Sequence, residues 1–396
     1  MNVLVVADVS PVVVRGGAER VLWELAKGLA ERGHRVRIVC RGGGEDLAGT
    51  LVRDQVVVRH FAVDRTSSLR FLVSSILGAR AAVREECRRE PPDVLHVHQP
   101  LAGLGALLAT DARFVYTFLS PAPMEYRTRA GMTGHHRTGV AGAAGAVLLR
   151  CVEWVCLRRA RRVHVLSRFS AGQVSDLYGV TAPRLAVIPG GVDTTLFRPA
   201  GNRLALRKDL GLPADRPVLF TLRNLEARMG IDTLLRAAVV VRPRRPDAFF
   251  VIGGSGSQTT TLRSLADELG LASSVHFTGW IPEAMLPAYY QTADAFILPT
   301  RALEGFGLVT VEALACGTPV LGTPVGATPE ILGPISPNLV FDDAGADAVA
   351  QGVLRFLERP AETFVGDLRA ACRRHAESRY RWDIAIEAFE ALVRSA

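Results

Sequence analysis

The chain has 396 residues, 48% hydrophobic and 22% charged, which suits two cores of ordinary size better than one. No apolar run is long enough to span a bilayer as a helix, and six cysteines without CxxC or Cys/His spacing exclude a disulfide framework and a zinc site. The net charge of +8 is uneven, at +10 for residues 1–200 and −2 for the remainder.

Much of that excess lies between Arg127 and Arg168, beside the apolar segment Val140 to Leu149. Such a surface suits anionic lipid or a phosphorylated acceptor, and equally a solvated helix end; no nucleic-acid partner is expected. The cysteines read as buried small apolar residues.

The first element is a strand. Met1 to Pro11 lacks a basic region ahead of its short apolar run, so it is not a signal peptide, and the chain reads as cytoplasmic or peripheral at the inner membrane face. Candidate strands follow at Val36 to Cys40, Val56 to Phe61, Val94 to Val97, Phe114 to Thr117, Arg162 to Leu166 and Leu185 to Ile188, with a helix over Ala18 to Glu31. Gly190 to Pro199 is rich in turn residues and is placed as the linker.

A second series then begins: Val218 to Leu222, Ala248 to Ile252, Val275 to Phe277, Ala295 to Leu298, Pro319 to Leu321 and Leu339 to Phe341. Apolar strands alternating with amphipathic helices predict an α/β chain of two doubly wound, Rossmann-like domains. The expected division is 1–195, 196–378 and a terminal segment 379–396, whose helix from Trp382 to Ser395 returns to the first domain.

Open α/β sheets bind ligands beyond the carboxyl ends of their strands, so the loops there are where chemistry is sought. After strand one, Gly16 and Gly17 lead straight into a helix, a place for a phosphate or for a tight structural turn. After Val218 to Leu222, Arg223 and Arg228 share one short loop and can clamp a nucleotide diphosphate.

After Ala295 to Leu298 comes Glu304-Gly305-Phe306-Gly307-Leu308-Val309, opening a helix that carries Glu312. The glycines let backbone N–H groups face a diphosphate, Glu312 can accept from ribose hydroxyls, and Glu304 can meet a sugar. The bland alternative makes both glutamates capping or surface residues.

These segments resemble a retaining glycosyltransferase of family four in the GT-B superfamily, over nearly the whole length. The resemblance rests on Gly16-Gly17, Arg223 with Arg228, the Glu304-x7-Glu312 element, Gly191 to Pro199, and Gly317-Thr-Pro-Val320 leading to Gly326 to Glu330. It implies two domains facing each other. It further implies a diphosphate on Arg223 and Arg228, backbone donors from Gly305 to Val309, ribose on Glu312 and the donor sugar on Glu304. By the same analogy the base lies against Trp280-Ile281 and Gly253 to Gly256, with Gly254 among them, and Gly16 and Gly17 approach the phosphate or the acceptor. No DxD motif occurs, which fits a reaction without metal or resident cofactor.

Two positions depart from the family pattern. Met229 stands where many relatives have lysine, with Arg228 supplying charge from the adjacent position, and Leu119 stands where many have a histidine. His98, after a neighbouring strand, is then a candidate to contact the acceptor or assist proton transfer, while His96 is read as pointing elsewhere. Glu125 and Tyr126 are acceptor-side candidates.

The expected activity is hexosyl transfer from a nucleotide-diphosphate sugar to an acceptor hydroxyl on a glycolipid, polysaccharide or small molecule. The alternative, motivated by Leu119, is a weak or inactive relative that binds a sugar nucleotide or a partner enzyme.

Overall fold

The computed structural model describes residues 1–14, 16–42, 49–132, 140–358 and 363–396. The chain divides into two compact units, residues 1–190 with 382–396 and residues 191–381.

In unit 1 the strands are β1 (Asn2–Ala7), β2 (Arg35–Arg41), β3 (Thr50–Arg53), β4 (Val56–Phe61), β5 (Val94–His98), β6 (Phe114–Phe118), β7 (Arg162–Val165) and β8 (Leu185–Val187). They form one sheet in the order β3-β4-β2-β1-β5-β6-β7-β8, parallel apart from the β3–β4 pair. Strand β3 was not expected from the sequence. The helices are α1 (Gly17–Glu31), α2 (Ser68–Arg89), α3 (Pro100–Leu107), α4 (Ala122–Met132), α5 (Val140–Arg159) and α6 (Arg168–Tyr178).

Because strand side chains alternate, each face of this sheet has its own core. Leu4, Val6, Leu95, Val97, Tyr116 and Phe118 face the layer of α2, α3, α5 and α6, meeting Ala79, Ala102, Cys156 and Val174. The other face carries His96, Thr117 and His164, and Phe389 packs on both histidines with ring centroids 4.6 and 5.2 Å away. Phe389 belongs to the last helix (Trp382–Ser395), which returns to unit 1 and packs against α1. The approach is close enough that a Cβ on Gly28 would fall 2.2 Å from Ile386 Cδ1.

Unit 2 has the parallel sheet β11-β10-β9-β12-β13, formed by β9 (Val218–Leu222), β10 (Phe249–Gly253), β11 (Val275–Gly279), β12 (Ala295–Leu298) and β13 (Val320–Gly322). Its helices are α7 (Arg203–Asp209), α8 (Ile231–Val241), α9 (Thr259–Glu268), α10 (Leu286–Thr292), α11 (Leu308–Ala315), α12 (Thr328–Leu332), α13 (Ala346–Leu357) and α14 (Thr363–Arg379), which makes the last helix α15. The expected strand at Leu339 to Phe341 is instead a 3-10 turn, Pro337–Leu339, followed by a single bridge from Val340 to Gly322. The Leu339 and Val340 amides are used inside the turn, by the Ser336 and Pro337 carbonyls, so only the Phe341 amide reaches the sheet, donating to the Gly322 carbonyl at 2.8 Å.

Among the described residues no helix is long and apolar enough to cross a membrane. The cysteines are all free, but Cys151 is exposed and Cys87 half-buried, correcting the reading of all six as buried.

Candidate active site

Strand order locates the ligand crevice in each sheet. In unit 2 the chain runs outward from β9 to β10 and β11, then returns to β12 on the other side of β9. This reversal makes the ends of β9 and β12 a topological switch point, where the loops after the two strands part on opposite faces and leave an opening.

The two loops are tied to each other there. Arg223 Nη2 donates to Glu304 Oε2 at 2.5 Å, and Thr300 Oγ1 donates to the same oxygen at 2.8 Å. Arg228 Nη1 donates to the carbonyl of Leu303 at 3.2 Å, and the Arg301 amide to the carbonyl of Arg228 at 2.9 Å. Arg223 and Glu304 are both buried, so each relieves a desolvation cost the other would carry alone. Arg223 Nε and Thr310 Oγ1 are buried without a hydrogen-bond partner among the described residues, which leaves polar capacity at the crevice.

Glycine is required where this loop meets its neighbours. A Cβ on Gly326, whose φ is +64°, would fall 2.0 Å from the carbonyl oxygen of Glu304, while the Ala327 amide donates to that oxygen at 2.9 Å. Gly307, at φ +84°, forms the amino cap of α11, and its missing side chain leaves room beside Glu304 Oε1. Leu303, just before Glu304, has φ +60°, a strained conformation for a branched residue and one held here by the loop bonds around it.

Gly305 and Phe306 lie in this loop, with Phe306 buried edge-on against Tyr380 at 5.6 Å between centroids. Leu308 and Val309 form the first turn of α11, where backbone N–H groups have no partner within the helix. Glu312, one turn on, accepts from the Tyr290 hydroxyl at 2.8 Å. Tyr290 is fully buried, and burial first, then the Glu312 carboxylate, holds its phenol well above the usual range, so it remains a donor.

The loop after β10 makes a third wall. A Cβ on Gly254 would fall 1.9 Å from the Arg223 carbonyl oxygen. Ile281 is buried against Gly253, whereas Trp280 is 71% exposed and does not join this cluster. Met229 is buried with its sulfur 2.9 Å from Arg223 Nη2, so the thioether lines the guanidinium at the position where a second cation was absent from the sequence. Thr300, Tyr290 and Gly326 were not singled out as site residues by sequence reasoning. Gly326 alone had a signal, in the Gly326 to Glu330 segment.

In unit 1 the switch point lies between β1 and β5. Gly16 caps α1 with extended backbone, and Gly17 begins the helix. Opposite them in the sheet order, Gln99 has φ +78° and its side chain accepts from the Asp8 amide at 2.9 Å. The Asp8 carboxylate accepts from the Leu101 and Ala102 amides at 3.1 and 3.0 Å, capping α3.

The proton-handling role expected of His98 does not match its placement. Its ring has no exposed surface, and neither nitrogen has a hydrogen-bond partner among the described residues. His96 does not point elsewhere: residues two apart on a strand share a face, and the two rings lie 4.2 Å apart. His96 Nε2 meets Thr117 Oγ1 at 2.7 Å, Thr117 meets His164 Nδ1 at 3.0 Å, and His164 Nε2 meets the Ile188 carbonyl at 2.9 Å. Burial lowers His98 to about 3 and His164 to about 4, so the cluster is neutral.

Of the acceptor-side candidates, Glu125 accepts from Ser120 Oγ at 2.5 Å. Tyr126 is half-buried against α5, where a Cβ on Gly145 would fall 2.9 Å from its hydroxyl.

Known proteins identify the family. Residues 15–196 match the profile of Glycosyltransferase Family 4, and residues 202–379 that of Glycosyl transferases group 1. A D-inositol 3-phosphate glycosyltransferase of Acidothermus cellulolyticus is 30% identical over 403 aligned positions, covering 96% of this chain and 86% of that protein. The chain belongs to glycosyltransferase family four.

This glycosyltransferase is also 37% identical to a GDP-mannose-dependent alpha-(1-6)-phosphatidylinositol monomannoside mannosyltransferase of Mycolicibacterium smegmatis. That match covers 54% of each protein, so the chain spans about half the length of this relative. Among solved structures, the sucrose-phosphate synthase of Thermosynechococcus elongatus superposes over 100% of this chain and 99% of its own, with a TM-score of 0.85 at 21% identity. The fold is that of the GT-B glycosyltransferases.

Proposed function

We propose that this glycosyltransferase moves a hexosyl group from a nucleotide-diphosphate sugar to an acceptor hydroxyl with retention of anomeric configuration, without metal or resident cofactor. The observation that carries the reading is the meeting of two switch-point loops of unit 2 on the buried Arg223–Glu304 pair. Arg223, Arg228 and the first amides of α11 neutralise the departing diphosphate, and Glu312, oriented by Tyr290, accepts from the ribose. Glu304 meets the sugar as positive charge develops at its anomeric carbon.

In this scheme the bond from the anomeric carbon to the phosphate oxygen breaks and a bond to the acceptor oxygen forms on the same face. The acceptor proton passes to the departing phosphate, so no side-chain base is required at Leu119 or His98. Gly16 and Gly17 serve the phosphate or the acceptor, Trp280, Ile281 and Gly254 the base, and Glu125 and Tyr126 the acceptor side. Relatives named for inositol phosphate and phosphatidylinositol mannoside favour a polar or lipid-borne acceptor in envelope or polysaccharide synthesis. They also favour a catalyst over a binding-only relative, and the basic excess of residues 1–200 suits work at the cytoplasmic membrane face.

The test is thermal shift of the purified chain against UDP-, GDP-, ADP- and dTDP-sugars, followed by transfer assays and anomeric NMR of the product. One nucleotide sugar is expected to stabilise the fold in proportion to its affinity and to be consumed with retention. Tight binding without turnover across a broad acceptor set would refute the catalytic reading, and an inverted product the retaining one.

A further inference from the structure

The solvent side of the α2, α3 and α5 layer in unit 1 carries large apolar side chains. Leu69, Val73 and Leu77 follow one another at four-residue spacing on α2, and Val147, Leu148 and Trp154 lie on α5; all six are between 43 and 70% exposed. Residues four apart share a helix face, so the α2 set is a continuous stripe. Helix α3 packs against both α2 and α5 and joins the two stripes into one layer. Arg80 Nε fastens that join by donating to the Leu108 carbonyl at 3.2 Å, and the Leu108 side chain is itself exposed.

Arginines border this apolar surface. Arg80, Arg84 and Arg88 extend the α2 stripe toward its carboxyl end, and Arg150, Arg158 and Arg159 are exposed on α5. The Arg158 guanidinium lies 5.4 Å from the centre of the Trp154 ring. Carboxylates on the same helices do not offset them. Glu86 and Glu153 are buried, and Glu85 is held by Arg59 and Arg89. Asp111, 3.8 Å from Arg159, stands at one end.

We propose that this layer docks on the surface of a bilayer containing anionic lipid. The inference deepens the reading of a membrane-face enzyme, but it rests on this surface and not on the donor site. Aliphatic and indole side chains enter the boundary between headgroups and acyl chains while guanidinium groups bind lipid phosphates, and this layer presents both together. A second copy of the chain is a poorer occupant: a two-fold contact would set one arginine-bordered face against another. A neutral bilayer would leave the arginines without counter-charge.

The experiment is co-sedimentation of the full chain with phosphatidylglycerol/phosphatidylcholine vesicles and with phosphatidylcholine alone, across salt concentrations. Binding is expected to the anionic vesicles only, to weaken with salt, and to shift the tryptophan emission to the blue. Val147→Ser with Leu148→Ser and Trp154→Ser should cut partitioning at least about 10-fold, and Arg84→Glu with Arg158→Glu about 20-fold or more, at roughly 5-fold per arginine removed. The Trp154→Phe chain should bind but lose the blue shift, and Arg244→Glu in unit 2 should change nothing.

Equal binding to neutral vesicles, no binding at all, or binding indifferent to the α2 and α5 variants would overturn the proposal. So would a concentration-dependent dimer that the same variants abolish. Donor-induced thermal shifts should be the same in all these variants, so failure of the donor reading would show there and leave the vesicle result standing.

Discussion

Unit 2 keeps a charged pair, Arg223 with Glu304, buried at the carboxyl edge of its sheet, whereas unit 1 buries three imidazoles, His96, His98 and His164, that burial keeps uncharged. Both sets sit on doubly wound sheets at or beside strand ends. The difference lies in partners. Each member of the unit 2 pair meets opposite charge and a further polar atom, from Thr300 or Met229. The unit 1 histidines meet one another, a threonine, a carbonyl and Phe389. A buried group keeps its charge only where the neighbourhood offsets desolvation, which supports the diphosphate site proposed in unit 2 and keeps the unit 1 imidazoles neutral.

The strongest test of that contrast removes the pair. Glu304→Ala leaves Arg223 buried without its carboxylate, and is expected to lower turnover by about 1,000-fold and stability by about 3–5 kcal/mol. Glu304→Gln keeps the shape, so it should recover much of the stability while turnover stays at least about 100-fold down. Equal recovery of both would assign Glu304 a structural role only. Denaturant titration beside steady-state kinetics separates the outcomes.

Next in size is Glu312→Ala, which should raise the donor KM about 10- to 100-fold, the loss expected for a hydrogen bond to a charged group, with kcat little changed. Tyr290→Phe removes only the hydroxyl that orients Glu312, so it should raise the donor KM a few-fold. That increment should vanish in the Glu312→Ala background and with a donor lacking the ribose hydroxyls. A Tyr290 effect of the same size in both backgrounds would show that the phenol acts through packing among Phe197, Phe220 and Phe296.

How much of this was legible in the sequence follows from the range of each interaction. Glu304, Gly305, Gly307 and Glu312 were readable because a strand end, two glycines and a helix start lie within a few residues of one another. Thr300 and Tyr290 were not, because a hydroxyl in an apolar run looks like core until a distant partner is seen; Tyr290 meets Glu312 across 22 positions. Strand β3 escaped because it is a four-residue antiparallel edge with mostly exposed side chains, lacking the apolar run that marks a buried parallel strand. The burial of His98 was not legible because position after a strand says nothing of which face the ring takes, or that α15, nearly 300 residues away in sequence, returns to pack on the same side.

The smallest predicted effect turns on those histidines. An unfolded histidine titrates near 6.5, whereas His98 is lowered by burial to about 3, so below pH 6.5 the unfolded chain takes up a proton that the folded chain refuses. Stability is therefore lost as pH falls from about 6.5 toward 3, and by pH 5 this one group costs roughly 2 kcal/mol relative to pH 8. His98→Leu removes that dependence and two buried nitrogens that have no partner among the described residues, so the variant should gain melting temperature over the parent progressively from pH 7 to pH 5. Glu153 provides the opposite sign, since burial raises its carboxyl to about 7 and its contribution to stability is lost as pH rises from the usual carboxylate range through neutrality. Glu153→Gln should accordingly gain on the parent toward pH 8. Turnover of His98→Leu within about three-fold of the parent at pH 7.5 would fix His98 as a core residue; a loss of 100-fold with the fold intact would return it to the reaction and require that unit 1 open to expose it.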